Sequence, residues 1–534
     1  MKQQTWPQLK DVFSGKRIVV TGATGYVGKV WVSWMLHHFP DIRELVLLIR
    51  PNKDFSAAER FEQIAATSPV FRPLRSNHGD QLGPFLSERI QVIAADISQP
   101  FAGLGALDVA HLIGEVDAVL HFAGLTDFNP DPLRALKINS EGPAHMADLA
   151  AHLKAPIAHV STCYVAGVMN GRYPEHVPSQ RSPNGTPLNP HQEIQYMRHQ
   201  LTEPNEHGRA PRRLERLDLA LDRANELGWP NIYTYTKALG ERLLDTRDDV
   251  THITIRPAIV ECARNYPFPG WNEGINTAGP IVALMSTWYR HLPSKPQNHF
   301  DVIPVDTVVR GCTLAIAALL RNEHEPVYQL ACSDHNPYTF GQVVDFNGIA
   351  QMRYQRLHGS TLEERFAVFM DGLNAEWGDT GPVPFLKKLT GQFREFVRSV
   401  DADAVPQSVG MLMGQDVNNR LKEWSRTCTR TEKKLRRIEG LLDLYKPFIW
   451  DTHWTFETKN TRGLNARLHP LDRNVQAFDT EQIVWRNYWV NVEYPGLAKW
   501  CFPLLNGESI EEDPVPEQAL LLSIHPPKKL GKTA

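Results

Sequence analysis

The chain has 534 residues, 42% of them hydrophobic, and a formal net charge of −3. One hydrophobic core stops growing at about 250–300 residues, so this length predicts two domains or three. The near-neutral charge gives no electrostatic case for a nucleic-acid partner. The first residues lack the apolar core of a signal peptide, and no stretch has the roughly 18 apolar residues of a membrane-spanning helix. We therefore predict a cytoplasmic protein, and leave peripheral membrane contact and oligomeric state open.

Six short apolar runs alternate with helix-like segments in the first 260 residues. Their apolarity is continuous, which indicates strands covered on both faces, and the helices between them imply parallel pairing. We therefore predict an α/β fold built on a doubly wound parallel sheet. The predicted strands are residues 17–22, 44–50, 90–96, 117–124, 157–163 and 252–260.

The first of these strands runs into the sequence TGATGYVGK, residues 21–29. Gly22 permits a tight turn, Gly25 lets the backbone approach a pyrophosphate, and Gly28 lets helix and strand pack closely. The following helix is expected to direct its N-terminus at that pyrophosphate. A glycine-rich turn without a ligand is the alternative. The predicted cofactor contacts here are Gly22, Thr24, Gly25, Tyr26, Val27 and Gly28.

The second and third predicted strands each end on a charged residue. Arg50 stands where a carboxylate favours NAD, and an arginine there favours the 2′-phosphate of NADP. A solvated arginine is the alternative. Asp96 is placed to reach the adenine, unless it only forms a turn. The predicted cofactor-binding set also includes Ile97, Ala123, Asn139, Tyr233, Lys237 and Pro257.

Candidate chemistry lies at the end of the fifth strand and in the YTYTK sequence. Tyr233 and Lys237 are four residues apart, hence on one helix face. A lysine beside the phenol is expected to lower the tyrosine pKa from about 10, making Tyr233 a proton donor to a carbonyl. Thr162 is predicted to hold the substrate oxygen, with Ser161 as second choice. Cys163 as an acyl-accepting nucleophile is the alternative chemistry.

Later segments are less regular. Residues 179–212, rich in Pro, Asn and Gly, predict a long loop, whereas 361–373 and 430–449 have the spacing of amphipathic helices. The six cysteines lack metal-site spacing, so we predict reduced thiols and no metal. These cysteines are Cys163, Cys262, Cys312, Cys332, Cys428 and Cys501.

The glycine turn together with Tyr233 and Lys237 resembles the extended short-chain dehydrogenase/reductase superfamily. A series of further motifs is similar to the fatty acyl-CoA reductases, also called male-sterility proteins, over residues 13–505. These motifs are residues 230–241, 255–271, 301–309, 336–340, 447–464, 478–489 and 495–500.

The resemblance implies an alcohol-forming, NADPH-dependent reductase of long-chain acyl-CoA that works through an aldehyde. It places Thr162, Tyr233 and Lys237 in catalysis, and Asn139 near a proton-relay water. Gly124 and Thr126 depart from the alanine and valine common in the family. Rival readings are a reductase that stops at the aldehyde or uses carrier-protein thioesters, a nucleotide-sugar enzyme, and an NADP-sensing protein.

The resemblance also sets the expected domain organisation. Residues 1–340 are predicted to form an NADP-binding Rossmann reductase domain with substrate-binding insertions. Residues 341–534 are predicted to form a smaller, mainly helical C-terminal domain with a loosely ordered tail from about 507. We expect a long apolar tunnel for the acyl chain, with a helix at 280–292 lining it through Trp288 and Tyr289.

Overall fold

The computed structural model describes residues 5–178, 180–204, 208–275, 278–286, 291–292, 294–358 and 417–510, with a few positions between 376 and 395. The chain divides into two compact units. The first comprises Met1–Gly279, His299–Tyr338 and Trp454–Ala534, and the second Pro280–Asn298 and Thr339–His453. The functional division expected at residue 340 stays a prediction.

The first unit is built on a seven-stranded parallel sheet. Its strands are β1 Arg17–Thr21, β2 Glu44–Ile49, β3 Ile90–Ala94, β4 Ala118–His121, β5 Ile157–Val160, β7 His252–Pro257 and β11 Val327–Leu330. The other strands are β6 Asn170–Tyr173, β8 Ile259–Glu261, β9 His291–Leu292, β10 Val302–Pro304, β12 Glu376–Trp377 and β13 His453–Phe456.

The strand order across the sheet is β11, β7, β5, β4, β1, β2, β3. The chain thus proceeds in one direction from β1 to β3 and in the other from β4 onward. The switch between β1 and β4 opens a crevice at the carboxyl ends of the strands, where open α/β sheets bind ligands. All five residues of β1 are buried, as the continuous apolar runs predicted. The predicted doubly wound fold is confirmed.

Helices connect the strands and fill the C-terminal region. In chain order, α1 to α11 are Leu9–Phe13, Tyr26–His38, Ala57–Thr67, Arg72–His78, Leu82–Arg89, Ala106–Leu112, Pro132–Ala135, Gly142–Leu153, Pro190–Thr202, Arg213–Glu226 and Ile232–Asp245. Then α12 to α20 are Ala278–Met285, Val305–Leu320, Phe340–His358, Val417–Lys446, Lys459–Asn465, Arg473–Gln476, Trp485–Tyr488, Tyr494–Trp500 and Phe502–Leu505. Single π-helical turns interrupt the series at Leu136–Glu141, Pro447–Asp451 and Trp489–Glu493.

The core behind the site lies between the sheet and α8. Met146 and Leu149 of α8 join Val119 of β4 and Ile157 of β5 in one buried hydrophobic cluster. The strands are short and their residues are inaccessible to water, so they form a rigid platform for the site. Their carboxyl ends carry the candidate site.

Three predictions about elements are wrong in part. The expected loop at 179–212 contains helix α9, which Pro190 begins and Asn189 caps by accepting a hydrogen bond from the Gln192 amide. The expected helix at 280–292 ends at Met285 in the described residues, and 291–292 is strand β9. The expected strand at 252–260 breaks after Pro257, and its last residues pair with β10 in a separate sheet.

One further helix prediction is confirmed, and other predictions concern residues outside the described ranges. The amphipathic helix expected at 430–449 is confirmed as part of α15, Val417–Lys446. The helix expected at 361–373, the side chains of Trp288 and Tyr289, and the tail from 511 lie outside the described residues. No helix in the described ranges is long and apolar enough to cross a membrane.

Candidate active site

The glycine turn, residues 22–28, joins β1 to α2. Gly22 has a φ of +74°, and a Cβ there would lie 2.6 Å from the Ala123 amide nitrogen. A Cβ on Gly28 would lie 2.3 Å from the Gly22 carbonyl oxygen. Gly25 is exposed, and a Cβ on it would meet only that oxygen, at 3.4 Å. Two glycines therefore allow backbone packing, and the third leaves open backbone at the N-terminus of α2, which fits a pyrophosphate.

The residues between these glycines divide their roles. Thr24 and Val27 are partly exposed on the turn. The Tyr26 hydroxyl instead donates to the Glu261 carbonyl oxygen at 2.9 Å, and its ring stacks on Trp271 with centroids 5.2 Å apart. The Tyr26 side chain is therefore held by the protein, which leaves its backbone for the predicted cofactor contact.

A cationic cavity of about 300 Å³ lies beyond the end of β2. Arg50 stands in it beside Arg134 and Lys137, three exposed cations that form no ion pair in the described part of the chain. The remaining lining residues are Ser98, Asp131, Leu133 and Ile138. Asp131 is engaged, because it accepts from the Arg134 amide at 3.0 Å. The cavity thus offers a net positive charge to an anionic group.

Sequence reasoning found Arg50 and missed its two partners. Arg134 and Lys137 are three residues apart at the beginning of the helical segment that follows β4. Two cations about one helical turn apart, at the carboxyl edge of a predicted sheet, are the sequence signal that could have identified them. Asp96, predicted near the adenine, accepts a hydrogen bond from the Ser98 amide at 3.0 Å, and so forms a turn beside the cavity. Ile97 packs against the hydrophobic cluster beneath.

The polar corner consists of Thr162, Tyr233 and Lys237. Thr162 follows β5 and accepts from the Tyr164 amide at 3.3 Å. Tyr233 lies in the first turn of α11, whose N-cap Asn231 accepts from the Thr234 amide at 2.9 Å. The Thr162 side chain lies close enough to the Tyr233 hydroxyl to lower its pKa. The fold therefore brings together two groups that are 71 positions apart in the sequence.

The pKa of Tyr233 differs from expectation. Burial raises the pKa to about 12, and the hydrogen bond from Thr162 lowers it only in part. The expected lowering by Lys237 is wrong, because desolvation of the phenolate by burial is the largest influence on the Tyr233 pKa. Burial also lowers the pKa of Lys237 to about 8, against the opposing charge of Glu241. At neutral pH the corner therefore holds a protonated phenol and an ammonium group.

The Lys237 ammonium group is held by a hydrogen bond to the backbone. Its Nζ donates to the Val160 carbonyl oxygen at 2.7 Å. A Cβ on Gly124 would lie 3.6 Å from this Nζ and 3.3 Å from the Asn139 Oδ1. Gly124 follows Ala123, the residue that packs on the glycine turn, so two consecutive residues connect the turn to the corner.

Asn139 and Pro257 support the corner from either side. The Asn139 amide donates to the carbonyl of Leu125 at 3.0 Å and to the Thr236 hydroxyl at 3.2 Å, from within a π-helical turn. Pro257 ends β7 in register with Leu330 and is buried. Their predicted roles at a cofactor stay predictions.

The fifth-strand residues beside Thr162 are less suited to chemistry. The Cys163 thiol is fully buried, and donates to the Arg256 carbonyl oxygen at 2.9 Å. Burial also raises its pKa well above the ordinary value, which opposes formation of the thiolate that a nucleophile needs. Ser161 is buried as well. Thr162 is equally buried, and it is favoured over both because its side chain interacts with Tyr233.

A buried ion pair stands behind α11. Arg256 donates to both carboxylate oxygens of Glu241, at 2.9 and 2.6 Å, and both side chains are inaccessible to water. Glu241 lies one helical turn after Lys237.

Among the described residues no group of three or more His, Cys, Asp and Glu side chains is arranged to hold a metal ion.

The chain is similar to several known proteins. The chain is 28% identical over 504 residues to "Fatty acyl-CoA reductase 2, chloroplastic" of Arabidopsis thaliana, covering 91% of this chain and 78% of that one. It is 27% identical to the "Alcohol-forming fatty acyl-CoA reductase" of Simmondsia chinensis, covering 92% and 98%. The terminal R domain from the myxalamid PKS-NRPS biosynthetic pathway shares the fold, with a TM-score of 0.50 at 14% identity over 84% of this chain and 85% of that one.

Family profiles cover both parts of the chain. One profile described as male sterility protein matches residues 20–312, which include the glycine turn and the polar corner. A second profile with the same description matches residues 409–503. The chain belongs to the male sterility protein family.

Proposed function

We propose that this protein reduces long-chain fatty acyl-CoA to a primary alcohol through an aldehyde, using NADPH and releasing coenzyme A. Membership of the family and the names of the relatives support the substrate class. The chemistry rests mainly on one observation. Ala123 packs against the glycine turn while the next residue, Gly124, packs against Lys237, so the backbone that would hold a dinucleotide adjoins the corner that contains Tyr233.

The open backbone of the glycine turn and the ammonium of Lys237 are the groups that would hold the dinucleotide. When bound, the reduced nicotinamide supplies a hydride for each of the two reductions. Thr162 holds the carbonyl oxygen as negative charge grows on it. Tyr233 donates a proton to that oxygen, and the resulting hemithioacetal loses coenzyme A to give the aldehyde.

The second reduction uses the same groups. Thr162 and Tyr233 hold the aldehyde oxygen, and Tyr233 protonates it as the carbon is reduced, giving the alcohol. Tyr233 must regain a proton between the two steps; the ammonium of Lys237, one helical turn away, would supply it and would in turn take up a proton from water. No acyl-enzyme is required, in keeping with the buried thiol of Cys163.

The cationic cavity supports NADPH over NADH. Arg50, Arg134 and Lys137 meet at the end of β2, the position at which a dinucleotide fold contacts the adenosine ribose. A 2′-phosphate adds about two negative charges there, and an arginine can bind it with paired hydrogen bonds. Asp131, the carboxylate in the lining of this cavity, is engaged at both oxygens, because one accepts from the Arg134 amide and the other pairs with Arg216.

The test is the Tyr233→Phe variant, assayed with palmitoyl-CoA and NADPH. We expect turnover to fall by at least about 100-fold, because a general acid contributes about 10²–10⁴. NADPH binding, followed by its fluorescence, should be nearly unchanged. Tyr235→Phe is the matched control, because that hydroxyl contacts Glu193 and not the corner.

Retained turnover in Tyr233→Phe would remove the tyrosine from the mechanism. Gas chromatography of the wild-type products distinguishes the remaining alternatives. Aldehyde as the only product would mean a single two-electron reduction. Activity with an acyl carrier protein but not with acyl-CoA would change the substrate class while leaving the corner in place.

A further inference from the structure

A row of exposed cations runs along α15 in the second unit. Its members are Lys422, Arg426, Arg430, Lys433, Arg436 and Arg437, all exposed and none paired with a carboxylate in the described ranges. We call this set the basic row. It is unlike the cations of the first unit, many of which are paired with carboxylates, such as Arg223 with Glu193.

The spacing of the basic row places it on one face of the helix. From Lys422 to Arg436 its members follow one another at three or four residues, and Arg437 lies four residues after Lys433, so each successive turn presents at least one cation. From 422 to 437 the helix rises about 22 Å. The opposite face is buried, and Leu435 packs with Leu284 of α12 in the same unit. Packing therefore fixes which face of α15 remains outside.

The charge of α15 contrasts with that of the whole chain. The helix has nine Lys and Arg residues against four Asp and Glu, while the 534-residue chain has a net charge of −3. The positive charge is therefore concentrated and not a general property of the surface. A concentrated positive row attracts an anionic surface.

The composition of the exposed face indicates which anionic surface. Between 422 and 437 the other exposed residues described are Glu423 and Thr427, with no apolar side chain among them. Protein interfaces have an apolar or aromatic centre and are depleted in lysine. A bilayer needs no such centre, because a plane of anionic headgroups attracts each basic residue separately.

We propose that α15 docks on a bilayer of anionic phospholipid through the basic row. The proposal rests on the proposed function in one respect: an uncharged long-chain alcohol partitions into lipid, so docking places the enzyme where its product goes. The attraction is electrostatic and reversible, and it weakens as salt shortens the range of the interaction.

The experiment is sedimentation of the full chain with vesicles of phosphatidylcholine alone or with 30% phosphatidylglycerol. We expect binding only to the anionic vesicles, and its loss between about 50 and 500 mM NaCl. The triple variant Arg426→Gln, Arg430→Gln, Lys433→Gln should bind about 100-fold more weakly, because each basic residue contributes roughly fivefold.

The matched control carries the same loss of charge elsewhere. Lys10→Gln, Arg473→Gln, Arg486→Gln removes three exposed cations of the first unit and should bind like the wild type. Thermal unfolding verifies that both variants fold, and reductase assays without vesicles test the proposed function separately. Equal binding to neutral vesicles, equal binding by the two variants, or binding to a short RNA or an acyl carrier protein without binding to vesicles would overturn the proposal.

Discussion

The glycine turn and the polar corner lie at the same edge of one sheet, but they are built differently. The turn consists of seven consecutive residues. Its function depends on accessible backbone and on the lack of side chains at its three glycines. The corner is three side chains from two distant segments, whose properties depend on burial: Tyr233 acquires a pKa of about 12 and Lys237 one of about 8. A ligand site formed by backbone has little room for added side-chain atoms. In a site formed by side chains, by contrast, the surrounding burial and charge set the pKa values.

The largest expected effect is a difference in stability between two glycine-to-alanine variants of the turn. Gly28→Ala would force a Cβ to 2.3 Å from the Gly22 carbonyl oxygen, so we expect a loss of about 1–3 kcal/mol in stability and of NADPH binding. In Gly25→Ala the Cβ meets that oxygen at an ordinary 3.4 Å, so stability should hold while NADPH binding weakens. Thermal unfolding and NADPH titration measure both effects. Equal losses of stability would show that the turn is not divided in this way.

A second prediction extends the comparison to the cationic cavity, which combines side chains from separate elements as the corner does. The variant Arg50→Ala should reduce the preference for NADPH over NADH by about 10- to 100-fold, since a charge-assisted hydrogen bond contributes about 1.5–3 kcal/mol. The ratio of kcat/KM for the two cofactors measures it. Arg43→Ala, an exposed arginine paired with Glu115 at the other end of β2, is the control. An unchanged preference would remove the cavity from cofactor selection.

The smallest expected effect concerns the carboxyl pair behind the glycine turn. Glu261 and Glu493 are fully buried, and Tyr26 donates to the Glu261 carbonyl oxygen. Burial, together with the charge of Glu493, raises the pKa of Glu261 well above 4.5, and burial also raises the pKa of Glu493. The folded protein therefore retains a proton that the unfolded chain releases above about pH 4.5.

A raised pKa in the folded state stabilises the protein at low pH, and this contribution is lost as pH rises toward the folded-state pKa. Between pH 6 and pH 8 the free energy of unfolding of the wild type should fall by an amount on the order of 1 kcal/mol. Glu261→Gln keeps a hydrogen-bond donor but does not titrate, so its decline should be smaller. Urea unfolding measures this, with the exposed Glu88→Gln as control. Parallel declines would mean that the pair does not share a proton.

Several site residues could be predicted from sequence because their signals are local. Gly22, Gly25 and Gly28 follow a strand directly, and Tyr233 and Lys237 are one helical turn apart. The strand interiors were also predictable, because residues buried on both faces are continuously apolar. Strand ends were less predictable. Strand β4 ends at His121, so Ala123 and Gly124, which were predicted to lie in that strand, follow it and lie next to the site.

Other features could not be predicted because they depend on which segments meet. Strand β11 was missed among the six predicted runs, and it extends the sheet beside β7. Arg134 and Lys137 acquire meaning only when the fold places them next to Arg50. Helix α9 was missed because composition suggested a loop, whereas the Asn189 cap and Pro190 begin a helix there.

By itself, the sequence determined the alternation of strand and helix, the glycine turn, the tyrosine–lysine pair and the amphipathic helix at 430–449. Each follows from steric or periodic rules that act within a few residues. Only the tertiary structure decided that Thr162 meets Tyr233, that the thiol of Cys163 faces a carbonyl, and that three cations share a cavity. These facts require strands distant in the chain to pair and water to be excluded around them, and exclusion of water is what sets the protonation of the groups inside.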